Sequence, residues 1–188
     1  MRLLIITGNE GKFREFQAAL GKRGHEAAWR KFPYPEVQTA SLDEVVEQGL
    51  SWLREKMGES EPFIIDDSGL FVTALKDFPG VFSAHALKTI GNAGILKLMA
   101  GVEDRRARFE ARIGLWSRET GPMIFPGRVD GAIALEPRGA GGFGFDPIFV
   151  PEGHSRTFAE IGTGEKNLFS HRGRATEALL DFLDGRQE

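Results

Sequence analysis

The run RLLIITGNEGK (residues 2–12) constrains the fold more than any other stretch of the chain. Residues 2–7 are a short apolar run of the kind found in a buried strand. Phe13, Phe16 and Leu20 then recur at i, i+3 and i+7, a helical stripe that Gly21 and Gly24 are expected to end. Strand, glycine turn with a lysine, helix: this is the outline of a phosphate-binding loop. The usual Walker form needs four residues between its glycines and a Ser or Thr after the lysine. Here two residues separate Gly8 from Gly11, and Phe13 follows Lys12.

The rest of the chain alternates in the same way. HEAAWRKF (25–32) reads as a second strand and PYPEVQTA (33–40) as a proline-containing loop. Ser41-Leu42-Asp43-Glu44 has the form of a capping box. Leu42, Val45, Val46, Leu50, Leu53 and Met57 follow on one helical face. PFIIDD (62–67) reads as a buried strand ending abruptly in two carboxylates, and SGLFVTALKDFPG (68–80) as turn-rich. Ile95, Leu96, Leu98 and Met99 suggest a short helix closed by Gly101. From 108 to 116 apolar and polar residues alternate with period two, a strand with one wet face. MIFPGRVDGAIAL (123–135) suggests a bent strand pair and PIFVP (147–151) another short strand. Leu168, Ala175, Leu179 and Phe182 fall on one face of a final helix. Helices and strands alternate at both ends around a β-rich middle, which predicts a mixed α/β sheet.

Composition narrows the function classes. At 188 residues the chain fits one domain, or one domain with a small lobe. Its 24 basic and 27 acidic residues give a net charge of −3, without the basic excess usual for a protein that lives on nucleic acid. There is no cysteine, so disulfides and thiolate metal sites are excluded. No apolar run approaches the ~20 residues of a membrane span and no signal peptide is visible, so a soluble cytoplasmic protein is expected.

Three stretches carry candidate chemistry. Asp66 and Asp67 end an apolar run, where α/β proteins tend to place ligand sites. Adjacent strand residues point to opposite faces, so at most one of the two is expected to face a given pocket unless the strand has broken. Carboxylates there suit Mg²⁺, a hard ion that wants carboxylate oxygen, waters and substrate phosphates; turn formation or helix capping is the plainer role. In GAGGFGFDP (139–147), Gly139, Gly141 and Gly144 satisfy G-x-G-x-x-G, but the stretch runs into Asp146-Pro147 rather than opening a helix, which argues against a dinucleotide fingerprint. Phe143 or Phe145 is placed to stack on a base; a turn with core phenylalanines is the alternative. In EKNLFSHRGRA (165–175), Lys166, His171 and Arg172 gather cationic donors. Lys166 and His171 are ~140° from eclipsed on one ideal helix, so a break near Ser170 is needed for them to converge; ordinary solvated side chains are the competing reading.

Together these segments resemble the inosine triphosphate pyrophosphatases. TGNEGK, DDSGL, PGVFSA, GGFGFDPIF, TFAE and EKNLFSHRG occur here in that family's order, over residues 5–180. YPEVQ and GLSWL look most like archaeal members. The resemblance implies an elongated mixed α/β fold, a central sheet flanked by helices, as one domain of two lobes around a nucleotide-binding cleft, and a homodimer. It implies Mg²⁺-dependent hydrolysis of ITP, dITP and XTP to the monophosphate and pyrophosphate, keeping unwanted purines out of the nucleotide pool. By position, Thr7, Gly8, Asn9, Glu10, Gly11, Lys12 and Ser68 would contact substrate. Glu36 and Asp67 would bind metal, with Asp67 also the catalytic proton acceptor. Phe143, Gly144, Phe145, Asp146, Lys166, His171 and Arg172 would complete nucleotide recognition. Many members have Tyr where this chain has Phe145, which keeps stacking and removes a hydroxyl. The approach to Lys166, IGTGEKN, also departs from the common pattern and leaves the helix start open. Donors at 166, 171 and 172 would reward a 6-oxo purine over adenine; what rejects guanine is not visible. The rival classes are a pyrophosphatase of broader or pyrimidine range, a nucleotide sensor without turnover and, least, a nucleic-acid-binding module.

Overall fold

The computed structural model describes residues 1–35, 37, 39–58 and 61–185. Its core is a six-stranded mixed sheet in the order β2-β1-β3-β4-β5-β6. The strands are β1 (Arg2–Ile6), β2 (Glu26–Arg30), β3 (Phe63–Val72), β4 (Arg106–Ser117), β5 (Gly121–Ile133) and β6 (Phe149–Pro151). β1 pairs in parallel with β2 and β3; the other pairings are antiparallel. The helices are α1 (Glu10–Lys22), α2 (Leu42–Met57), α3 (Ser83–Thr89), α4 (Gly91–Leu98), α5 (Thr163–Lys166) and α6 (His171–Leu183). None of the described helices is long and apolar enough to cross a membrane.

The continuous apolar run of β1 is explained by burial on both faces. Leu3 and Ile5 pack with Phe16 and Leu20 of α1 and Ala175 and Leu179 of α6. Leu4 and Ile6 turn the other way, onto Val46, Leu50 and Leu53 of α2. A third cluster, with Leu70, Ile95, Phe109, Val129 and Phe149, fills the far end of the long strands β3 to β5. The predicted α2 stripe is the buried face, and Ser41 caps that helix by accepting from the Glu44 N–H. The return half of the box is rerouted: Thr39 Oγ1 takes the Ser41 N–H and pairs with the Glu44 carboxylate.

Tertiary pairing overrides several local expectations. β3 does not stop at its two aspartates. It continues to Val72, because β4 pairs with it throughout, from Phe63↔Trp116 to Val72↔Ala107. The expected bent strand pair is one long strand, β5. Gly21 lies inside α1, and the chain turns at Gly24, with φ +74°. Leu168 is not on the final helix: it is 76% exposed in the segment between α5 and α6. That segment supplies the expected break, and Ser170 caps α6 by accepting from the Gly173 N–H. The start of α6 sits hard against β5, where a Cβ on Gly127 would lie 2.0 Å from the His171 carbonyl oxygen.

Candidate active site

Among the described residues β1 pairs with β3 only at Leu4↔Phe63 and Ile5↔Ile64. The 78–83 segment takes up the same edge again from Leu70 to Val72, so the β1-facing edge of β3 is open between them, around Asp66, Asp67 and Ser68. A cavity of about 660 Å³ wraps around that edge. Its size suits a nucleotide-scale ligand, within the roughly 300–1,000 Å³ of small-molecule sites. Thr7, Gly8, Asn9, Lys12, Asp66, Asp67, Ser68, Phe143, Gly144, Phe145, Asp146, Lys166, His171 and Arg172 all line it. The expectation that only one aspartate faces the pocket is overturned. The strand still alternates, with Asp66 and Ser68 both meeting Arg172 on one face. The cavity reaches Asp67 as well because it spans the edge.

The β1–α1 turn is fixed by its own side chains. Thr7 Oγ1 accepts from the Asn9 N–H at 3.1 Å, and Asn9 caps α1 by accepting from the Lys12 N–H at 3.2 Å. Lys12 Nζ donates to the Asp66 carbonyl oxygen at 2.9 Å and meets its carboxylate at 2.8 Å. An ammonium has three donors, so one remains for a ligand. Glu10 and Gly11 do not line the cavity. Glu10 pairs with Arg14 along the exposed side of α1. Gly11 backs the Phe143 ring, where a Cβ would come within 2.7 Å of it. Glu36 lies outside the described residues.

From Lys12 a chain of ion pairs runs through the cavity wall. Arg172 bonds Asp66 at 3.1 Å and Glu15 at 2.7 Å; Lys166 bonds Glu15 at 3.1 Å and Asp146 at 2.8 Å. Asp146 also accepts from the Phe143 N–H at 2.8 Å. Asp66, Glu15, Asp146, Lys166 and Arg172 are only 2–5% exposed. Glu15 was not singled out from the sequence. Its one signal was its place three residues after Lys12, on the same helical face, which any solvated glutamate shares.

The environment sets the charges. Burial alone would raise the Asp66 and Glu15 carboxyls, but the facing cations outweigh it and hold both below their usual range. At Asp146 burial wins and lifts the carboxyl, against Lys166 and the Phe143 amide, with Glu15 adding to the rise. Burial, then the positive charge of Arg172, Lys166 and Lys12, drives the His171 imidazole well below its usual value. That environment favours the neutral imidazole, which can still donate one hydrogen bond. Its ring stacks on Phe109 at 4.6 Å, and its Nδ1 is buried without a hydrogen-bond partner among the described residues. Phe145 is 3% exposed within the core, so its main role is packing. Phe143 is the freer ring, under Lys166 at 4.9 Å and Arg172 at 5.5 Å.

A run of short motifs along one strand–turn–helix frame, all converging on one cavity, is a family-level pattern. The sequence profile of the Ham1 family matches residues 3–182. The chain belongs to the Ham1 family. A dITP/XTP pyrophosphatase from Thermococcus kodakarensis is 53% identical over 183 residues, 97% of each chain. One from Pyrococcus horikoshii is 49% identical over the same share. The Ham1 protein of Staphylococcus aureus superposes with a TM-score of 0.83 at 27% identity, covering 100% of both chains. The Coxiella burnetii HAM1 protein gives 0.81 at 34% identity, covering 98% of this chain and 99% of that one. Within this Ham1 fold, Phe32, Pro33, Tyr34, Leu87 and Lys88 also line the cavity. Sequence reasoning missed them because they come from loops and from α3, which carry no pattern of their own.

Proposed function

We propose that this chain is a Mg²⁺-dependent nucleoside triphosphate pyrophosphatase that converts ITP, dITP and XTP to the monophosphate and pyrophosphate. One observation carries the reading: a single nucleotide-sized cavity joins the glycine–lysine turn, the Asp67 carboxylate and the Phe143 ring. The names of the 53% and 49% identical relatives support the substrate class. The homodimer and the cytoplasmic setting implied by the resemblance are part of the same proposal.

The donor set fits a hard cation. The cavity offers carboxylate and hydroxyl oxygens at Asp67, Ser68 and Thr7 and no sulfur. Those oxygens suit Mg²⁺ held through one or two carboxylates and substrate phosphates; Asp67 would hold it, with Glu36 as the second carboxylate. Charge balance points the same way. Lys12, Lys166 and Arg172 are matched one for one by Asp66, Glu15 and Asp146, so the wall has little net charge to spare for a triphosphate. Mg²⁺ held by Asp67 and Glu36 would supply that neutralisation.

The residues then divide the work. The turn and the electropositive start of α1 hold the triphosphate, with the third donor of Lys12 on a phosphate oxygen. Asp67 takes a proton from the water that attacks the α-phosphorus. The bond to the bridging oxygen breaks and pyrophosphate leaves. Phe143 stacks on the purine, beside buried donors that reward a 6-oxo group. The test is hydrolysis of ITP, XTP, GTP and ATP side by side, with and without Mg²⁺, scored for pyrophosphate against phosphate. Pyrophosphate from ITP and XTP is expected; phosphate alone, or equal rates on ATP, would overturn the reading.

A further inference from the structure

We infer that Trp29 is a positioning residue for the phosphate-gripping turn: its indole N–H clamps the Thr7 carbonyl and so aims the Gly8 N–H into the cavity. This rests on the reading that the turn holds the triphosphate. Trp29 lies on β2, and its Nε1 donates to the Thr7 carbonyl oxygen at 2.8 Å. The Thr7 N–H donates to the Arg30 carbonyl oxygen at 3.2 Å. Both backbone groups of Thr7 therefore turn toward β2. The 7–8 peptide is trans and planar, so the Gly8 N–H points opposite to the Thr7 carbonyl. In the order β2-β1-β3, opposite means toward β3, where Asp66, Asp67 and Ser68 line the cavity beside Gly8.

That donor is open. The Asn9 N–H goes to Thr7 Oγ1 and the Lys12 N–H to Asn9 Oδ1, whereas no acceptor among the described residues takes the Gly8 N–H. A glycine resists a peptide flip weakly. Without an external hold on the Thr7 carbonyl, the 7–8 plane can rotate and carry the donor away from an anion. The indole ring also stacks on Phe13 of α1 at 4.8 Å and 9°, a contact separate from the hydrogen bond.

Two variants separate the hydrogen bond from the stack. Trp29→Phe keeps a ring for Phe13 and removes the donor; Phe13→Leu keeps the donor and removes the stack. Binding of tripolyphosphate and of inosine is measured by calorimetry with Mg²⁺, and KM and kcat are measured with ITP. Trp29→Phe is expected to weaken tripolyphosphate and raise KM about five- to tenfold, the scale of one hydrogen bond. Inosine binding and kcat should stay within about twofold, and Phe13→Leu should stay within about twofold throughout. Unchanged tripolyphosphate affinity in Trp29→Phe, an equal loss of inosine binding, or the same defect in Phe13→Leu overturns the proposal. So does a Gly8 amide resonance of the unaltered chain that fails to move when tripolyphosphate is added. Tripolyphosphate binding needs no turnover, so a chain that hydrolyses no ITP would sink the functional reading and leave this contrast readable.

Discussion

The Lys12 ammonium lies 2.8 Å from the Asp66 carboxylate and 2.9 Å from the Asp66 carbonyl oxygen, so the lysine of the glycine turn is anchored on the neighbour of Asp67. The turn is thus tied to the edge of β3. Lys12→Ala is expected to raise KM for ITP and XTP alike, because a phosphate contact does not sense the base. It also leaves Asp66 with Arg172 as its remaining cation, at a cost of about 1–3 kcal/mol for a buried charged group losing a partner. Steady-state kinetics and urea denaturation check both halves; a change in base preference would move Lys12 out of the phosphate site.

Asp67→Asn should behave in the opposite way. Asp67 is half-buried at the cavity, and its amide is nearly isosteric. Thermal stability should change little, while turnover of ITP falls by about 10²–10⁴ if a proton acceptor has been removed. Wild-type turnover in this variant would show that another group takes the proton.

Glu15 is the centre of the buried chain, between Lys166 at 3.1 Å and Arg172 at 2.7 Å. Glu15→Ala leaves two buried cations short of a partner and should cost about 3 kcal/mol. Arg172 and Lys166 keep Asp66 and Asp146, which places the effect at the low end of the range. Chemical denaturation measures it; a loss near zero would mean that water replaces the carboxylate.

His171 gives the chain a pH limit. Its folded-state value is driven well below 6.5 by burial and then by Arg172, Lys166 and Lys12. The unfolded chain therefore binds this proton first. Stability is fully present above about pH 6.5 and falls as pH drops, by at most about 1.4 kcal/mol per unit from this residue. Glu15 and Asp66, both lowered in the folded state, add to the loss only below their ordinary values of 4.5 and 3.8. His171→Gln should flatten the stability profile between about pH 5 and 6.5, as read by denaturation midpoints across pH. An unchanged slope there would assign the acid sensitivity to other groups.

Periodicity was enough to find α2, β1 and the alternating strand β4, because burying one face or both leaves the same period in the sequence whichever element covers that face. The β1–α1 turn was legible too, since Asn9 and Thr7 cap it locally. Motif order gave the candidate site residues; the structure gathers most of them at one cavity, and leaves Glu10 and Gly11 behind it. What the residues alone decided was therefore local: elements, caps and the chemistry on offer. Only the tertiary structure decided the rest. Pairing with β4 carried β3 past Asp67 to Val72, and the short β1–β3 contact opened the edge that lets both aspartates border one cavity. Glu15 met Lys166 and Arg172 across more than 150 residues of chain. Trp29 reached Thr7 across a strand pair. Such contacts depend on which strands become neighbours, a choice made by burying three apolar clusters together and not written in the spacing of any one segment.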